Sequence, residues 1–421
     1  MTKQEIIRFL QSRSNSGSAL GLSRVELLLD YVKHPEQDLK FVHVAGTNGK
    51  GSVVAFLSSI LENAGYKVGR FQSPAVFSYE EQIRIGETPI SDYDFEETAE
   101  EIINAVKQME QDGHESPTEF EILVPLAMVY FKKKNCDIVL FEVGLGGEGD
   151  ATNVIPTPLL ALITKISYDH MNYLGPTLTS IASAKAGIIK KDGTVIIAEQ
   201  SEEARKVFDE KTKKMHASLT ELSFDSPLRK EADLFVRDID LGLKGNYQKE
   251  NAALAYAAAK ELTIQGFPIS KEQMEEGLKE ATWPGRFEKL SKDPLFLIDG
   301  AHNEGGAKAL ASAIKEAYPN RKFSLIIGIL EDKEYEKVLD EMLSFASKVY
   351  CVTPPNPRAL PKEKLAKVTT KKANNLPIIV CEDIEDALNQ SHRIKKEDTI
   401  AFGSLYYIGI LRNLFFDVDR I

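Results

Sequence analysis

An apolar run from Leu39 to Gly46 breaks into Thr47-Asn48-Gly49-Lys50-Gly51-Ser52 and then resumes as a helical pattern that ends at Gly65. Strand, glycine loop, helix is a phosphate-binding context. Backbone N–H groups converge on phosphate oxygens, the helix N-terminus adds a favourable dipole, and Lys50 supplies a cation. The loop departs from the strict G-x-x-x-x-G-K-[ST] pattern, because position 44 is valine and Gly51 separates Lys50 from the hydroxyl of Ser52. The physics survives the departure: Gly46, Gly49 and Gly51 free the backbone, and Ser52 is placed to ligate magnesium. A glycine turn without a ligand is the plainer alternative, and the strand and helix on either side weigh against it. The expectation is an enzyme that binds ATP and uses it to drive chemistry.

With 421 residues the chain exceeds one ordinary core, so two domains are expected. Before the loop, Val25, Leu28, Leu29 and Val32 recur at helical spacing. After it, strand patterns at 67–71, 137–143 and 159–163 alternate with helical patterns at 120–133 and 179–185, which implies a mostly parallel sheet flanked by helices. Residues 233–243 read as a strand, and the alanine-rich run 246–262 as a closely packed helix. A second strand–helix cycle starts at Leu295, with apolar runs at 323–329, 348–353, 376–382 and 398–403. The predicted fold is α/β: a P-loop-type domain over residues 1–288 and a smaller Rossmann-like α/β domain over 289–421. The polar, proline-bearing stretch 286–294 reads as the hinge.

Composition excludes several classes. A net charge of −11 argues against general nucleic-acid affinity, which needs a basic face. No segment is long and apolar enough to span a bilayer, and the N-terminus mixes charge into its apolar positions unlike a signal peptide, so the cytoplasm is the expected compartment. Cys136, Cys351 and Cys381 are scattered without metal-ligand spacing and read as buried, reduced thiols.

Several residues are candidates for chemistry. Glu142 ends an apolar strand, at the sheet edge where open α/β folds place ligands, and reads as a magnesium ligand or as a solvent-facing strand end. Asp169 and His170 follow another strand, with His170 either structural or metal-binding. Lys185 lies among small and apolar residues. It reads as a surface lysine, as a phosphate contact, or as a lysine carrying a carbamate, and spacing does not choose between these. Arg286 offers a fork of donors to phosphates. Asp299 and His302 sit where a strand ends and a helix begins, with Asp299 equally a turn cap and Asn303 an N-cap.

In order, GTNGKGS, SPAVFSYEEQIRI, EVGLGGEGDATNV, DHMNYLG, SAKAGIIK, LKGNYQKENAALA, PGRFE and DGAHN resemble the folylpolyglutamate synthase/dihydrofolate synthase family of Mur-type ligases, from about Gly21 to Tyr407. The resemblance implies an ATP-dependent ligase that joins L-glutamate to a carboxylate of a folate or of dihydropteroate through an acyl phosphate, releasing ADP and phosphate. By matching position, Gly46, Thr47, Asn48, Gly49, Lys50, Gly51 and Ser52 hold ATP, with Asn251, Arg286, Asp299 and His302 as further nucleotide contacts. Ser52 and Glu142 would bind one magnesium, and Ser73, Glu142 and His170 a second. Lys185, His170 and Glu142 are the implied catalytic residues, with Lys185 as the carbamate. A monomer is the implied state.

The chain departs from the family pattern at Ala75 and Val76, where many relatives read His-Leu, and at Glu148 and Gly149, where many carry a basic and a bulky residue. Both departures fall on the acceptor side. Folylpolyglutamate synthase activity is expected, with dihydrofolate synthase activity in addition. The rivals are a Mur-type ligase for another carboxylate acceptor and a P-loop nucleotide switch without ligase chemistry. Only about forty residues precede the loop, too few for the nucleotide-sugar domain that cell-wall ligases usually add.

Overall fold

The computed structural model describes residues 1–14, 21–75, 78–373 and 375–417. Val76 and Phe77, part of the acceptor-side motif, lie outside the described residues. The chain divides into two compact units, one made of Met1–Ser167, Met171–Asp240 and Asn251–Ala281, the other of Tyr168–His170, Leu241–Glu250 and Thr282–Ile421.

The first unit is built on eight strands: β1 (Phe41–Ala45), β2 (Val68–Phe71), β3 (Ile83–Ile85), β4 (Thr88–Pro89), β5 (Ile138–Glu142), β6 (Leu160–Ile163), β7 (Thr194–Ala198) and β8 (Ser218–Leu222). Their order is β4-β3-β2-β5-β1-β6-β7-β8. Pairing is parallel from β2 to β8, with β3 and β4 antiparallel at one edge. The central strands β1, β5 and β6 are buried at every position, as expected for a parallel sheet covered on both faces. In register, Val44 faces Glu142 on one side and Leu162 on the other, so the ends of β5 and β6 flank the loop that follows β1. Helices start where the sequence caps them. Thr118 and Glu121 form a capping box ahead of Glu119–Lys133, and its buried face includes Ile122, Leu126 and Val129.

The second unit has β9 (Glu288–Lys292), β10 (Leu295–Ile298), β11 (Phe323–Ile327), β12 (Ala346–Cys351), β13 (Ile378–Val380) and β14 (Thr399–Phe402), ordered β13-β12-β11-β14-β10-β9. Only β9 is antiparallel. All five strands expected in the second cycle are present, and the α/β class stands.

Two local expectations are corrected. Residues 233–243 contain no strand. Instead Ser226 caps a helix, Pro227–Val236, with proline at its first turn, and Ala232 and Val236 bury one helical face. The alternation of aliphatic and acidic residues had imitated a strand, but the upstream serine–proline start fixes the helix. The stretch read as the hinge holds an antiparallel hairpin, in which β9 pairs with β10 and Arg412 anchors Glu288 at 2.8 Å. The charge-rich β9 lies at the sheet edge, where one face needs no apolar cover.

The three cysteines are free, Cys351 and Cys381 buried and Cys136 half-buried. Burial pushes their thiols up, to about 11 for Cys136 and about 12 for the other two, which keeps them unreactive. Among the described residues no helix is long and apolar enough to cross a membrane.

Candidate active site

The glycine loop turns directly out of β1. Gly46 has φ +141° and a Cβ there would stand 1.8 Å from Thr164 Oγ1; Gly49 has φ +89° and a Cβ would stand 2.4 Å from Asn251 Oδ1. Both positions therefore require glycine on two counts, backbone conformation and space. The loop is tied to the segment after β6: Thr47 N–H donates to the Lys165 carbonyl at 3.3 Å, Thr47 Oγ1 to the Ser167 carbonyl at 3.1 Å, and Asn48 Nδ2 to Ser167 Oγ at 3.4 Å. The helix Lys50–Asn63 starts at the loop's end, so its first N–H groups point into it. Ser52 is buried in its first turn.

Two lysines converge on this loop. Lys50 Nζ lies 3.3 Å from the carbonyls of Gly46 and Thr47, and Lys185 Nζ donates to the Gly46 carbonyl at 2.7 Å. Lys185 is 6% exposed, which removes the surface-lysine reading. It sits in the last turn of the capped helix Leu178–Ala186, and Glu148 N–H donates to the Ala184 carbonyl at 2.8 Å, pinning the loop after β5 to that helix. Glu142 is 5% exposed at the end of β5, which likewise removes its solvent-facing reading. One of its oxygens is 4.0 Å from Lys50 Nζ and the other accepts from Gln72 Nε2 at 3.2 Å. Asn251 adjoins Gly49, and Ser73 follows β2 in the same unit. A buried carboxylate and a hydroxyl beside a phosphate loop are hard oxygen donors, the set that suits magnesium.

Beneath the loop after β5 lies a buried network. Asp150 accepts from Leu145 N–H at 2.7 Å and from Thr152 Oγ1 at 2.5 Å, and His43 Nε2 meets Thr152 Oγ1 at 2.9 Å. Because the threonine hydroxyl donates to the carboxylate, the imidazole donates to the hydroxyl through Nε2. Burial, reinforced by Lys190, pushes His43 down to about 3. An unfolded histidine titrates near 6.5, so the unfolded chain takes up the proton first and stability falls as pH drops from about 6.5 toward 3. The expected loss from this group is roughly 1.4 kcal/mol per pH unit within that window. Denaturant unfolding at a series of pH values should show a steep acid limb in the parent chain and a shallower one in His43→Gln. Parallel limbs would contradict the assignment.

The second unit carries its own polar cluster. Asp299 follows β10, is 5% exposed, and accepts from Phe287 N–H at 2.8 Å and Ala301 N–H at 2.7 Å. Burial pushes its carboxyl up, against the Arg286 guanidinium and those two N–H groups. Asn303 is the N-cap of Glu304–Ala317 through Gly306 N–H, and its Nδ2 donates to Asp169 Oδ2 at 2.9 Å. His302 Nδ1 faces the Gly300 carbonyl at 2.8 Å and its Nε2 lies 3.6 Å from Asp169. Lys333 Nζ donates to Asp169 Oδ1 at 2.6 Å and stands 3.4 Å from His170 Nε2. Burial alone would raise Asp169, but His302, Lys333 and His170 together hold it well below the usual carboxylate range.

The first unit thus groups Gly46–Ser52, Ser73, Glu142, Lys185 and Asn251, and the second His170, Arg286, Asp299 and His302. Sequence reasoning missed Lys333, which lies in a run of like-looking surface charges, and Gln72, which had no motif of its own.

Two family models match: the Mur ligase middle domain over residues 44–259 and the Mur ligase, glutamate ligase domain over residues 285–404. The chain is 35% identical over 427 aligned residues to the dihydrofolate synthase/folylpolyglutamate synthase of Bacillus subtilis, covering 97% of this chain and 98% of that one. It is similar in structure to Mycobacterium tuberculosis folylpolyglutamate synthase complexed with ADP and AMPPCP (TM-score 0.86, 28% identity, 98% of each chain). It is also similar to Escherichia coli FolC in complex with DHPP and ADP (TM-score 0.83, 27% identity, 99% of this chain and 98% of that one).

Proposed function

The chain belongs to the dihydrofolate synthase/folylpolyglutamate synthase family of Mur ligases, and from that premise we propose how its residues carry out ATP-dependent addition of L-glutamate to a folate. The observation that carries the reading is the convergence of Lys50 and Lys185 on the Gly46 carbonyl, with the buried Glu142 carboxylate 4.0 Å from Lys50.

In the first step the acceptor carboxylate attacks the γ-phosphorus, the bond to the β–γ bridging oxygen breaks, and ADP leaves an acyl phosphate. In the second the glutamate amine adds to the acyl carbon, loses a proton, and expels phosphate as the amide forms. Charge gathers on phosphoryl oxygens throughout, so the chain's part is positioning and neutralisation by Lys50 and the N–H groups of Gly46–Ser52. Ser52 and Glu142 are assigned to one magnesium, and Ser73, Glu142 and His170 to a second, which would neutralise phosphate charge when bound. Asn251, Arg286, Asp299 and His302 are assigned to the nucleotide, Asp299 acting through the turn it staples. Lys185 is assigned as a carbamate. Carbamylation leaves one N–H on Nζ, so the bond to Gly46 is compatible with it, while the new carboxylate supplies an anion to orient magnesium or acceptor.

A reduced folate is the assigned acceptor, with dihydropteroate as a second, and a cytoplasmic monomer is the assigned state. The test is phosphate release from ATP and magnesium with L-glutamate plus tetrahydrofolate, L-glutamate plus dihydropteroate, and each component alone, with mass spectrometry of the products. Release should require glutamate and an acceptor together, and the product should be heavier by one glutamyl residue. Release without glutamate would return the chain to the nucleotide-switch reading.

A further inference from the structure

Strand β2 holds a cation that the chemistry above does not use. Arg70 is fully buried. Its guanidinium donates to Gln72 Oε1 from Nε at 3.3 Å and from Nη2 at 3.0 Å, reaches the Gly86 carbonyl at 3.4 Å, and pairs with Glu87. Gln72, two residues on and therefore on the same side of the extended chain, is 4% exposed. Its Nε2 donates to Glu142 Oε2 at 3.2 Å and touches the Gly51 carbonyl at 3.5 Å.

A guanidinium only donates and a carboxylate only accepts. The Gln72 amide can join them in a single orientation, oxygen toward Arg70 and nitrogen toward Glu142, and Arg70 removes its freedom to flip. With Oε2 so engaged, the carboxylate plane of Glu142 is fixed and Oε1 is turned toward Lys50, 4.0 Å away. We infer that Gln72, locked by Arg70, is a positioning residue that sets how Glu142 presents its carboxylate beside the phosphate loop, and so sets the affinity for the divalent cation. The inference rests on the assignment of Glu142 to magnesium given above. Partners that orient a metal-binding carboxylate typically govern metal affinity by about 10–100-fold.

The test is Gln72→Met, which keeps side-chain volume and removes the donor. Binding of Mn²⁺ to the enzyme–AMPPCP complex is followed by electron paramagnetic resonance, beside AMPPCP binding without metal. The expected result is a Mn²⁺ Kd raised about 10–100-fold with metal-free AMPPCP affinity unchanged. A folded Gln72→Met protein with parental Mn²⁺ affinity overturns the inference, as does an equal loss of metal-free AMPPCP binding, which marks a merely structural role. Glu142→Gln separates the two levels. If it weakens Mn²⁺ binding and Gln72→Met does not, the positioning role alone fails; if neither does, the assignment of Glu142 fails with it. Should Gln72→Met not fold because Arg70 loses one of its acceptors, the double variant Arg70→Met with Gln72→Met removes both members of that pair and carries the same test, with the same results supporting or overturning the inference.

Discussion

Lys50→Ala should lower kcat/KM for glutamate addition by roughly 10³-fold, the upper end of what removing one preorganised charge-stabilising group costs. The ammonium is held at the mouth of the loop, 3.3 Å from two of its carbonyls and 4.0 Å from Glu142, so it is in place before the phosphoryl charge develops. Alanine removes that cation while keeping the helix start, because alanine is a strong helix former at the first position of Lys50–Asn63. Steady-state ligation with saturating magnesium reads the effect, and circular dichroism confirms the fold. Parental ligation by Lys50→Ala would remove the loop from the mechanism.

Lys185→Ala should cost roughly 10²–10³-fold in the same assay, since it removes a buried group bonded to the same loop. Two readings of this residue predict different chemistry. As a carbamate, Lys185 should give a carbonyl signal when the parent protein is incubated with carbon-13 bicarbonate, and short carboxylic acids should restore part of the activity of the alanine variant. As a plain ammonium it gives no such signal, and amines rather than acids restore activity. The proposed function expects the first pair of results.

The loop, strands β1, β2, β5 and β6 of the first sheet and β10 to β14 of the second were legible because each rests on local rules, whereas β3, β4, β7 and β8 were not named from the sequence. Glycines at Gly46 and Gly49 announce close approach, and mostly apolar runs such as β1 and β5, broken by His43 and by the terminal Glu142, announce strands covered on both faces. The charge-rich β9 was not legible, because an edge strand needs only half its face covered and its residues resemble a loop. The last turn of the helix Pro227–Val236 was read as the start of a strand because aliphatic and acidic residues alternate just beyond it, from Asp238 to Leu241, while the helix's serine–proline start lies upstream of that stretch. Among site residues, Glu142 and Lys185 stood out by chemistry in apolar surroundings. Gln72 and Lys333 did not, since their roles come from partners far along the chain, Glu142 and Asp169. The available signal was Arg70: a cation within a short apolar strand, paired at spacing two with a glutamine, marks an inward-facing polar relay.

The central claim is that the acceptor carboxylate is activated by phosphoryl transfer before the amine attacks, and the most direct measurement follows its oxygens. Tetrahydrofolate carrying oxygen-18 in the reacting carboxylate is incubated with enzyme, ATP, magnesium and L-glutamate, and the released phosphate is analysed by mass spectrometry. The account predicts one labelled oxygen in each phosphate and the other in the new amide. Phosphate free of label, with amide still formed, would show that its oxygen came from water and would contradict the acyl-phosphate mechanism.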